Sequence, residues 1–132
     1  MADARNTILV VDDDPTLRTL LRAILERNDY SVIVAGDAQE ALQLVNERVG
    51  TIDLLVSDIQ MPGMTGDELA REMKKLLPKL LIVLVSGYSQ HKIALEDGWQ
   101  FIQKPYAPKT ILATICEMLT KHSSSECASA GA

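Results

Sequence analysis

The chain has 132 residues, 47% of them hydrophobic and 23% charged, with a formal net charge of −5. That length supports one globular domain around a single core, and the acidic balance argues against the basic stripe that nucleic-acid binding requires. The longest uninterrupted apolar run, Leu80 to Val85, is far too short to span a bilayer, and the N-terminus carries no signal-peptide pattern.

A soluble, cytoplasmic protein is therefore expected, with no membrane insertion and no direct nucleic-acid contact. Cys116 in a helical pattern and Cys127 in a polar tail do not make a disulfide framework, which suits a reducing compartment.

In chain order, Thr7 to Val11 is β-rich and almost wholly apolar, as a strand buried on both faces should be. It runs into Asp12-Asp13-Asp14-Pro15. Leu17, Leu20, Leu21, Ile24 and Leu25 then recur with helical spacing, with Asp14 as N-cap and Pro15 in the first turn. Asn28-Asp29 closes that helix. Ser31 to Ala35 reads as a second strand, and Asp37 with Glu40 has capping-box spacing for a helix that buries Ala38, Ala41, Leu42 and Val45.

Leu54 to Ser57 is a third apolar strand, ending in Asp58 and followed by Met61-Pro62-Gly63. Asp58 is poorly placed to cap a helix, because the next helical pattern begins only near Gly66 and a cap directly precedes its helix. Thr65 and Glu68 repeat the capping-box spacing, and Pro78 stops that helix. Leu80 to Val85 makes the fourth strand, ending at Ser86-Gly87. Ser89 to Leu95 leaves room for about two helical turns. Phe101 to Gln103 is a short fifth strand ending at Lys104-Pro105, and Ile111 to Leu119 marks a last helix. Residues 1–5 read as an extension, 6–121 as the domain, and 122–132 as a flexible tail.

Five strands alternating with helices imply an α/β fold, a doubly wound parallel sheet in the flavodoxin-like order 2-1-3-4-5. That order sets the first strand beside the third, so Asp12 and Asp13 meet Asp58 at the C-terminal sheet edge. Crowded carboxylates need a compensating cation, and an all-oxygen set suits Mg²⁺. Ser86 and Lys104 end the next two strands at the same edge. Acids, hydroxyl and ammonium together could hold a phosphoryl group, with Asp58 as the nucleophile. Taken singly, Ser86 could be a turn residue and Lys104 a solvated strand end.

The segments Ile8 to Pro15, Ser57 to Gly66, Val85 to Tyr88 and Lys104-Pro105-Tyr106 resemble the receiver domain of two-component response regulators. The resemblance covers about residues 6 to 121 and implies a role at each matching position. Asp58 would accept a phosphoryl group from a sensor histidine kinase or a phosphotransfer protein. Asp13, Asp58 and the Gln60 backbone carbonyl would bind Mg²⁺ directly, and Asp12 through water. Lys104, followed by a cis bond to Pro105, would neutralise a phosphoryl oxygen. Ser86 would turn toward the phosphoryl group and Phe101 would move inward behind it. Gln60 and Tyr88 occupy the positions where family members tune access of hydrolytic water.

The interval from Ser86 to Lys104 is a few residues shorter than in chemotaxis-type receivers. This implies a short or irregular fourth helix and looks more like the receivers of hybrid sensor kinases. Phe101 also lacks the hydroxyl of the commoner tyrosine, leaving packing alone to drive its movement. The function expected is signalling with self-catalysed phosphorylation and dephosphorylation, not turnover of a separate substrate. Two rivals are an aspartate-nucleophile Mg²⁺ phosphatase and an unphosphorylated pseudo-receiver. Gln60 breaks the D-x-D pattern of the first, and the intact set of Asp12, Asp13, Asp58, Ser86 and Lys104 argues against the second.

Overall fold

The structure is a computed structural model that describes residues 6–47, 52–61, 63–87, 98–104 and 106–121. Its elements in chain order are β1 (Thr7–Val11), α1 (Pro15–Arg27), β2 (Ser31–Ala35), α2 (Ala38–Glu47), β3 (Leu54–Asp58), α3 (Gly66–Leu76), β4 (Leu81–Ser86), β5 (Trp99–Gln103) and α4 (Pro108–Lys121). All strand pairs are parallel, in the expected order β2-β1-β3-β4-β5.

Alternation along the central strands supplies both faces of the core. Leu9, Val11, Leu55, Ile82 and Leu84 pack with residues of α2 and α3, such as Ala41, Leu69 and Met73. Ile8, Val10, Leu54, Val56, Val83 and Val85 pack with α1 and α4, through Leu25, Ile111 and Ile115. Each fully buried Leu or Ile contributes about 1.5–3 kcal/mol by leaving water. The sheet is therefore a rigid platform for whatever its edge carries.

Helix starts follow the chemistry expected of them. The Asp14 carboxylate accepts the Thr16 N–H at 2.9 Å, with Pro15 opening α1. At α2 the box closes one residue early: Glu40 Oε1 accepts the Gly36 N–H at 2.7 Å, while Asp37 Oδ1 accepts the Glu40 N–H at 2.8 Å. At α3 Glu68 Oε1 accepts the Thr65 N–H at 3.0 Å. Asp29 adopts φ 69°, the left-handed turn that ends many helices.

Several expectations are corrected. β4 runs one residue later than Leu80 to Val85, so Ser86 is its last residue and is fully buried. β5 starts at Trp99, not Phe101, because Trp99 and Ile102 are both buried while Gln100 and Gln103 face out. In α1 only Leu21 and Leu25 are buried, and Leu20 is 56% exposed. That apolar stripe is wider than the face the sheet covers.

Cys116 is disulfide-bonded rather than a free thiol, and Cys127 lies outside the described residues. Spacing alone carries no signal for such a bond. The short helix expected over Ser89 to Leu95, the Pro105 peptide bond, Tyr88 and the terminal segments also lie outside the described residues.

Candidate functional site

The register of β1, β3 and β4 builds the site. Val11 pairs with Ser57, so Asp12 lies one step beyond, level with Asp58, and Asp58 in turn pairs with Val85. Asp12, Asp13 and Asp58 each offer a carboxylate oxygen within 4.8 Å of the others. β5 brings in the cation. The Lys104 backbone N–H donates to the Ser86 carbonyl at 2.8 Å, and its Nζ donates to Asp58 Oδ2 at 3.1 Å and lies 3.5 Å from Asp12 Oδ2.

The three acids are held differently. Asp12 is nearly buried; its Oδ1 accepts the Asp14 N–H at 2.9 Å and its carbonyl accepts Arg18 Nη1 at 2.7 Å. Burial pushes the Asp12 carboxyl above its ordinary value, against the Asp14 N–H and Lys104, and the Asp58 charge adds to the rise. Asp58 is half-buried, and its Oδ1 accepts the Gln60 N–H at 3.2 Å. Asp13 is exposed. Burial alone would lower the Lys104 ammonium, but Asp58 and Asp12 outweigh it and raise the group above 10.5. Lys104 is thus a fixed cation at neutral pH.

Ser86 ends β4 on the same strand face as Leu84, by alternation. Phe101 pairs with Leu84 and already packs, partly buried, against the α2–α3 side of the core. The exposed Gln60 sits beside Asp58 through its backbone. Asp12, Asp13, Asp58, Gln60, Ser86 and Lys104 therefore share one sheet edge, and Phe101 lies further back, level with Leu84. An all-oxygen carboxylate set is the chemistry that a hard divalent cation such as Mg²⁺ takes.

Three contributors escape sequence reasoning. A Cβ on Gly66 would lie 2.9 Å from Ile59 Cα and closer still to the Asp58 carbonyl, so only glycine lets α3 approach the β3 end. Arg18 holds the Asp12 carbonyl; its one sequence signal is a cation near a helix start, where the dipole disfavours it. Tyr106 is half-buried, and burial raises its hydroxyl above the ordinary value. With Leu17, Leu20 and Ile24 it lines an apolar groove of about 480 Å³ that also touches Lys104.

The sequence model of the response regulator receiver domain matches residues 8–116. Sensor kinase CckA of Brucella abortus is 34% identical over 119 residues, which are 87% of this chain but only 13% of that protein. Among solved structures, the receiver domain from hybrid histidine kinase CckA superposes with a TM-score of 0.77 at 33% identity, covering 86% of this chain and 99% of that one. Response regulator protein TrrA from Thermotoga maritima, in complex with Mg²⁺ and BeF, gives 0.76 at 31% identity, covering 86% and 99%. Among the described residues, no helix is long and apolar enough to cross a membrane.

Proposed function

This chain belongs to the response regulator receiver domain family of two-component signalling, and we propose that it takes a phosphoryl group onto Asp58 from a phosphohistidine. The observation that carries this reading is the Asp58 carboxylate at the β3 end, 3.1 Å from the Lys104 ammonium and within 4.8 Å of Asp12 and Asp13 oxygens. An Asp58 oxygen attacks phosphorus, the P–N bond breaks as the P–O bond forms, and the imidazole leaves with its electron pair. Lys104 then moves its ammonium from the carboxylate to a phosphoryl oxygen. Ser86 donates its hydroxyl to another, and Phe101 follows inward into the space behind Ser86, a population shift biased by the new charge.

Asp13, Asp58 and the Gln60 carbonyl would hold Mg²⁺ directly. Asp12, whose carboxylate is already engaged by the Asp14 N–H and faces Lys104, would act through water. When bound, the ion supplies charge neutralisation for the phosphoryl oxygens. The TrrA complex with Mg²⁺ and BeF supports this assignment by analogy. Gln60 and Tyr88 would set access of hydrolytic water.

Residues 6–121 form the functional unit in this reading. The phosphodonor, a sensor histidine kinase or a phosphotransfer protein, would lie on the groove of Leu17, Leu20, Ile24 and Tyr106, which shares Lys104 with the acids. Such a donor is phosphorylated inside the cell, so the domain would work in the cytoplasm. The net charge of −5 favours a protein partner over nucleic acid.

Acetyl phosphate with Mg²⁺ should retard the protein on a phosphate-affinity gel, and Asp58→Asn should abolish the shift. An unshifted wild-type band, or an Asp58→Asn protein that still shifts, rejects the assignment. Steady turnover of a generic phosphatase substrate would favour the phosphatase instead.

A further inference from the structure

We infer that Arg18 is a positioning residue for the metal-binding carboxylates, steered by the bare backbone of Gly36. The inference rests on the Mg²⁺-dependent reading of the site. Beyond Val11 the β1 ladder ends: the Asp12 N–H still reaches the Ala35 carbonyl at 3.3 Å, but the Asp12 carbonyl turns to Arg18 Nη1 at 2.7 Å. That carbonyl belongs to the peptide joining Asp12 to Asp13. The Asp13 carboxylate is exposed, so its position depends on the backbone that carries it. Fixing the Asp12–Asp13 peptide plane therefore fixes where the Asp13 oxygen sits relative to Asp12 and Asp58.

The guanidinium reaches this place through a gap in the β2–α2 turn. A Cβ on Gly36 would stand 3.1 Å from Arg18 Nη1 and 3.7 Å from Cζ. The turn cannot easily yield, because the Gly36 N–H is tied to Glu40 Oε1 at 2.7 Å. Gly36 is not among the glycines with positive φ, so alanine is conformationally acceptable there; its one tight contact would be Arg18, Glu40 Oε1 standing at an ordinary 3.5 Å. Helix α1, the β2–α2 turn and the acidic cluster thus meet at one side chain.

Charge and positioning make opposite predictions. Were Arg18 merely a cation near three acids, removing it would tighten Mg²⁺ binding. A positioning role requires weaker binding. Calorimetric titration of Mg²⁺ into metal-free protein, with melting in EDTA as the fold control, separates them. Arg18→Met should weaken Mg²⁺ about tenfold, and Arg18→Lys, which keeps a donor, should recover most of the loss. Gly36→Ala should weaken it about two- to threefold alone and add nothing in the Arg18→Met background. Tighter or unchanged binding in Arg18→Met, or additive effects of the two substitutions, overturns the inference. Wild-type protein that binds no Mg²⁺ overturns the site reading and this inference with it.

Discussion

Gly66 opens α3 with its N–H on the Ile59 carbonyl at 2.8 Å, and its missing side chain leaves room for the Asp58 backbone. The obstacle to any larger residue is main chain on both sides, so no rotamer change relieves it. Gly66→Ala should cost about 1–3 kcal/mol, in line with overpacking of a filled site. Urea denaturation should show a lower midpoint at unchanged slope; wild-type stability would refute the close-packing argument. This residue also marks what the sequence discloses. Asp12 and Asp58 were legible because each ends an apolar strand, where a polar residue announces itself, and Lys104 because it stands with Pro105 just past the short β5. Gly66 and Arg18 were not, because their work is defined by a neighbour on another element. Ser86 was legible as the residue that ends the fourth strand, but its complete burial was not.

At the scale of the element, α3 shows how local chemistry orders the loop beside the site. Partial burial on its own would raise the Asp67 carboxyl. The Thr65 hydroxyl, the Asp67 backbone N–H and Arg71, at 3.2 Å, outweigh it and hold the group below its ordinary 3.8. A carboxyl lowered by folding contributes stability that is present above the unfolded value and lost as pH falls through the folded one. Asp67→Asn should therefore cost about 0.5–1 kcal/mol at neutral pH, the range for a first-turn acid with an exposed partner. The difference between variant and wild type should vanish on acidification below pH 3.8, followed by urea denaturation across the pH range. A difference that persists there would mean the loss is packing, not charge. Capping patterns made α1, α2 and α3 readable in advance. β5 was harder: a short edge strand with glutamines at two positions and buried residues on both faces offers neither a long apolar run nor a clean alternation. The α1 stripe misled for the opposite reason, since apolar spacing cannot say which half of a wide stripe the sheet will cover.

The whole molecule pays for its site in stability, and this can be measured. Parallel topology drives three acids to one edge of a chain already at −5, and only Lys104 among the described site residues answers them. Carboxylate oxygens within 4.8 Å of one another repel by about 1 kcal/mol per pair even at the dielectric of water. Asp13 is the member whose removal isolates this repulsion, because Asp12 and Asp58 are both bonded to Lys104 or backbone N–H groups while Asp13 is exposed. Asp13→Asn should therefore melt higher than wild type in EDTA, by roughly 4 °C for about 1 kcal/mol in a domain of this size. Wild-type protein should gain stability as Mg²⁺ rises past its dissociation constant, following the logarithm of occupancy, and Asp13→Asn should lose that gain. The two melting curves should cross as Mg²⁺ is added. Parallel curves, or an Asp13→Asn protein less stable in EDTA, would show that the acidic edge is not strained and that its carboxylates are not gathered for a cation.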